Sequence, residues 1–180
     1  MLISPRQLLD RLRHPRTRAD ELSALRARFR ALPTRRESSP ERIASAETLR
    51  RLRGELSRAT GSPSSCTTCA KGHPEPAGHW RGGHCCSGRT LDIWSQDECA
   101  ALKLAGTDAA DLEPPRGDHA GCTFRGERGC SLPPEDRPSL CLRYVCLDLR
   151  KELNETGEWA DVARLGDALT REQKRFATLA

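Results

Sequence analysis

Cys66-Thr67-Thr68-Cys69, Cys85-Cys86, Cys99, Cys122, Cys130 and Arg137-Pro138-Ser139-Leu140-Cys141-Leu142-Arg143-Tyr144-Val145-Cys146 decide the reading of this chain. All nine cysteines fall between positions 66 and 146, and so do four of the five histidines (His73, His79, His84 and His119). Such density calls for metal, disulfides or thiol redox chemistry. Cysteine number and compartment weigh between them. Nine is odd, so any disulfide scheme leaves one thiol over. The stretch Met1–Asp10 has no apolar core of signal-peptide length before charges interrupt it, and no run approaches the roughly 18 apolar residues of a membrane span. A cytoplasmic protein is expected, and there lasting disulfides are rare. Metal is the favoured reading.

Composition agrees that the cysteines serve the fold at least. Of 180 residues, 36% are hydrophobic and only 4% aromatic, which predicts a thin apolar core in need of staples. Cys66 and Cys69 form a Cys-x2-Cys turn, which brings two sulfurs round to one tetrahedral ion. Consecutive side chains diverge along an extended chain, so the vicinal Cys85 and Cys86 are expected to face two different partners, such as two metal sites or one site and the core. Cys122 with Cys130 and Cys141 with Cys146 supply further pairs over short or turn-rich spacings. Soft thiolates suit zinc and iron–sulfur clusters above other common metals. Cys99 has no partner spacing inside its helical segment and reads as a small buried apolar residue.

Outward from the cysteines, the chain reads as helical. Ser4-Pro5 opens a short helix that ends at His14-Pro15. A second runs from about Thr17 to Leu32 on Leu22, Leu25, Phe29 and Leu32. A third follows the Ser39-Pro40 cap on Ala46, Leu49, Leu52 and Leu56. Both stripes are narrow, and the two helices are expected to close into an antiparallel hairpin with arginines on its outer faces. Gly61 to Ser65 reads as a linker. Thr90 to Trp94 suits a short strand. Ser95 and Glu98 form a capping box for a helix that Gly106 stops. Past Tyr144, itself read as core, the chain is helical with a break near Asn154 to Gly157. A last amphipathic helix on Trp159, Val162, Leu165 and Leu169 packs on the hairpin or the cysteine region. The expected fold is mainly α: a hairpin over 1–61, an irregular metal-stabilised cysteine-cluster domain over 62–146, and a C-terminal helical segment over 147–180 that packs on it.

Charge is uneven. Residues 1–60 hold 15 arginines, no lysine and 7 acidic residues, so the basic helices are a candidate surface for a protein or nucleic-acid partner. No Ser-His-Asp order, phosphate loop or paired-carboxylate signature stands out, so no catalytic residue is assigned.

The cysteine pattern resembles the YkgJ-type family of bacterial zinc- or iron-chelating cysteine-cluster proteins. The matching pieces are Cys66 to Cys69, Cys85-Cys86, Asp92-Ile93, Gly121-Cys122, Gly129-Cys130-Ser131-Leu132, and Arg137-Pro138 through Cys146. The resemblance implies Cys66, Cys69, Cys85, Cys86, Cys122, Cys130, Cys141 and Cys146 as metal ligands, with zinc or iron, or an iron–sulfur cluster, as the cofactor. Fifteen residues separate Cys69 from Cys85 where the family has a few. The inserted His73, His79 and His84 are alternative ligands, since imidazole also binds zinc. Three functions follow from these readings. They are a structural metal centre with an interaction role, an iron–sulfur protein in electron transfer or as the redox part of a modifying enzyme, and nucleic-acid binding through the arginine-rich helices.

Overall fold

A computed structural model describes residues 18–65, 92–114, 122–126 and 129–179. The expected first helix, Thr90 and Leu91 of the expected strand, Cys66, Cys69, Cys85, Cys86 and every histidine lie outside those residues. The described chain is mainly helical. Helix α1 spans Arg18–Arg30, α2 Pro40–Thr60, α3 Gln96–Leu104, α4 Ser139–Arg143, α5 Leu147–Glu155 and α6 Trp159–Thr178. A minimal antiparallel pair, β1 (Arg125–Gly126) and β2 (Gly129–Cys130), has Arg125 opposite Cys130 and Gly126 opposite Gly129.

The helix ends follow local chemistry. Ser39 accepts the Arg42 N–H and Pro40 opens α2, while Gly61 at φ +66° closes it by donating to the Arg58 carbonyl. Both halves of the Ser95/Glu98 capping box form. Gly106 ends the turn after α3 at φ +101°, a conformation that costs a side chain strain.

The described residues form two apolar cores. In the first, Ala46, Leu49, Leu52 and Leu56 of α2 meet Val162, Leu165, Leu169 and Phe176 of α6, with Ala101 and Leu104 of α3 and Leu149 and Leu153 of α5. Ser45 donates to Glu172 at 2.5 Å and the Arg42 guanidinium lies 4.4 Å over the Phe176 ring, so α2 and α6 run antiparallel where they meet. In the second core, Leu22, Leu25 and Phe29 of α1 pack with Trp94, Cys99, Leu102, Leu112, Phe124 and Leu132. Trp94 and Phe124 stack tilted, with ring centroids 5.5 Å apart. Helix α3 stands between the cores and contributes to both.

This arrangement corrects the expected hairpin packing. The stripes of α1 and α2 face different cores, and Leu32 alone of the α1–α2 connection touches both. Each stripe is too narrow to make a two-helix seam of useful area, whereas Trp94 and Phe124 offer α1 a wider apolar wall. Nor do the arginines simply coat outer faces. Arg26 donates to the Leu112 carbonyl (2.7 Å), Arg28 to Trp94 (3.1 Å), Arg35 to Leu104 (2.7 Å) and Arg50 to Ala105 (2.8 Å). Lys103 answers from α3, donating to the Arg30 carbonyl at 2.8 Å and to that of Leu32. Leu104 and Ala105 end α3, where helical carbonyls lack internal partners and a cation is favoured. Two smaller expectations also change. Ile93 and Trp94 are buried in a turn and not in a strand, and Tyr144 is 40% exposed, outside both cores. Among the described residues no helix is long and apolar enough to cross a membrane.

Candidate metal centre

Four of the eight candidate ligands, Cys122, Cys130, Cys141 and Cys146, are described, and all four are half-buried on short elements. Cys122 precedes the small hairpin, Cys130 ends its second strand, and both pack against the second core. Phe124 and Leu132, both sealed in that core, anchor the hairpin, and Ser131 ties it across by donating N–H (2.8 Å) and hydroxyl (2.9 Å) to the Phe124 carbonyl. Cys141 sits in the single turn of α4. Cys146 is the N-cap of α5, its Sγ accepting the Leu149 N–H at 3.4 Å, and it packs against the first core. Cys99 differs from these four. It is fully buried and forms no disulfide, and burial pushes its thiol up against the pull of Arg28, whose Nη2 lies 3.4 Å from the sulfur. A thiol so placed is inert, in line with its reading as a core residue.

The donor chemistry of the four suits a soft metal. Half-buried thiols are more open to an ion than a thiol sealed in a core. Among the described residues, however, no three His, Cys, Asp or Glu side chains gather closely enough to hold a metal ion, so these cysteines do not complete a centre by themselves.

A polar network ties down the chain between Cys130 and Cys141. Arg137 donates to the carbonyls of Leu132 (Nε, 3.3 Å) and Cys130 (Nη2, 3.5 Å) and to the Ser57 hydroxyl of α2 (Nη1, 2.8 Å). Asp136 is buried and accepts from the Thr107 hydroxyl at 2.8 Å. Burial pushes its carboxyl up, and the Thr107 hydrogen bond and Arg50 oppose that rise. Ser139, the first residue of α4, donates its N–H to Glu98 Oε1 at 2.9 Å. Glu98 thereby serves two helices, since its other oxygen caps the Ser95 N–H at 3.1 Å.

Arg53 is the least expected member. It is 0% exposed, and its Nε, Nη1 and Nη2 find no hydrogen-bond partner among the described residues. Its nearest countercharge is Glu98 Oε1, 3.9 Å from Nη2. Burial pushes the guanidinium below its ordinary value, against the pull of Glu98, Asp136 and Cys99. The signal was in the sequence. Arg53 follows Leu49 by four and precedes Leu56 by three, so helical spacing puts it on the apolar face.

One further tie reaches the entrance to the first cysteine pair. Glu152 of α5 accepts the N–H groups of Ser64 (2.7 Å) and Ser65 (3.1 Å). Ser65, then Ser64, hold its carboxyl down at about 2. The Ser65 hydroxyl itself meets no strict hydrogen-bond geometry, so the two N–H groups are the firmer cause. No family model, curated protein or solved structure matches the chain.

Proposed function

We propose that this chain is a metal-binding cysteine-cluster protein, holding zinc or iron in a thiolate centre that serves the fold and supports an interaction role. The observation that carries the reading is the confinement of all nine cysteines to residues 66–146 of a chain otherwise poor in staples. The half-buried positions of Cys122, Cys130, Cys141 and Cys146, against the sealed Cys99, support it. Cys66, Cys69, Cys85 and Cys86 complete the proposed ligand set, with His73, His79 or His84 as replacements for the first pair.

The arginine-rich helices are less open to a nucleic acid than their charge suggests, because Arg26, Arg28, Arg35 and Arg50 already serve backbone carbonyls. A protein partner at their remaining exposed arginines is the better reading. Metal and acid-labile sulfide content of protein purified without oxygen, with a visible spectrum of the same sample, tests the centre. Zinc without sulfide is the expected result. Iron with matching sulfide and a brown sample would move the chain to iron–sulfur redox chemistry. A full-length chain that purifies and folds with no bound metal and takes up neither ion would refute the reading.

A further inference from the structure

The Arg137 side chain does more than a turn requires. The turn before it closes through its own backbone, the Asp136 N–H donating to the Pro133 carbonyl at 3.0 Å. Arg137 instead reaches back to two carbonyls at the exit of β2, those of Cys130 and Leu132, and across to Ser57 on α2. Immediately after it, buried Pro138 fixes the backbone, and the Ser139 N–H docks on Glu98 to start α4, which carries Cys141. Shortly before Cys141 the chain is therefore pinned to α2 through Arg137 and, two residues on, to α3 through Glu98. Asp136 adds a third anchor on Thr107.

We propose that Arg137 is a positioning residue of the thiolate centre, its three-point hold setting where Cys130 is presented relative to Cys141. This rests on the metal-binding reading above. A planar guanidinium offers several donors in a fixed fork and can meet two carbonyls and a hydroxyl together. An ammonium at the end of a flexible stem cannot hold that geometry. The cation also stands beside the Cys130 carbonyl. Groups that orient ligands without touching the metal affect its affinity strongly, because ligands held in place lose little freedom when the ion arrives.

The test uses the full chain with Arg137→Gln, Arg137→Lys and Ser57→Ala, loaded with Zn2+ and separately with Co2+. Competition with a chromophoric chelator reads the affinity, and the thiolate-to-cobalt bands read the ligand geometry. Arg137→Gln is expected to weaken zinc binding roughly 10- to 100-fold and to shift the cobalt bands, with unchanged helical circular dichroism. Arg137→Lys is expected to recover only part of the affinity. Ser57→Ala, which removes only the anchor on α2, gives the same change at smaller size and carries the test if Arg137→Gln does not fold. Wild-type affinity and an unshifted cobalt spectrum in both Arg137→Lys and Ser57→Ala would overturn the positioning role while leaving metal binding intact. A wild-type chain that binds neither ion would overturn the metal-binding reading itself, and the positioning role with it.

Discussion

Arg53 and Glu98 face each other across 3.9 Å but stand on unequal footing, so the two sides of the pair should respond differently to replacement. At an effective dielectric near 20, two unit charges at that distance attract by about 4 kcal/mol. Against this stands the desolvation of a guanidinium that is 0% exposed and has no hydrogen-bond partner among the described residues, a cost of several kcal/mol. Glu98 does not depend on Arg53, because its oxygens already accept the Ser95 and Ser139 N–H groups. Arg53→Met keeps the volume, deletes the desolvated charge and strands nothing. It is expected to leave stability unchanged or to raise it by about 1–4 kcal/mol. Glu98→Gln removes the countercharge of a buried cation and one of two acceptors, and is expected to cost about 3–5 kcal/mol. In the double variant most of that loss should vanish. Urea unfolding followed by circular dichroism, at one fixed metal content, gives all three values. A loss of more than about 2 kcal/mol for Arg53→Met would refute the argument, since it would mean that the guanidinium makes strong hydrogen bonds in solution.

Phe29→Ala empties a buried aromatic site in the second core and should cost about 3–5 kcal/mol; a cost below 1 kcal/mol in the same assay would mean that α1 is a detachable arm. Asp136 and Glu152 should give stability opposite slopes with pH. The raised Asp136 carboxyl favours the folded state when protonated, so its contribution is complete below the ordinary value of 3.8 and is lost as pH rises through the elevated folded value; Asp136→Asn should flatten that window. The depressed Glu152 carboxyl contributes above its ordinary 4.5 and loses that contribution as pH falls through about 2, so Glu152→Gln should match wild type only at the acid end of an acid-unfolding series.

Much of the secondary structure was legible because it rests on neighbours in sequence. The Ser39-Pro40 start, the Ser95/Glu98 box, the stop at Gly106 and the break before Trp159 are all settled within a turn or two of chain. The inert character of Cys99 was legible too, from its lack of partner spacing inside a helix. Arg53 was legible in principle, since its place between Leu49 and Leu56 is a matter of period alone, but a charge argues for the surface as strongly as the period argues for the core. The turn role of the segment before Arg137 was readable from its prolines. That its guanidinium would reach Ser57 was not, because the partner lies 80 positions away.

By itself the sequence determined where helices start and stop, which stripes are apolar, and that the thiols crowd into one part of the chain, because these depend on local conformation, period and composition. Tertiary structure decided which stripe meets which. Leu22, Leu25 and Phe29 would be satisfied by any apolar wall, and hydrophobic attraction has no direction that could name one in advance. The choice of α3, Trp94 and Phe124 over α2 is settled only when all the surfaces compete at once. The same holds for the arginines, whose charge is plain in the sequence while the carbonyls they serve exist as a set only after α3 has been placed between the two cores.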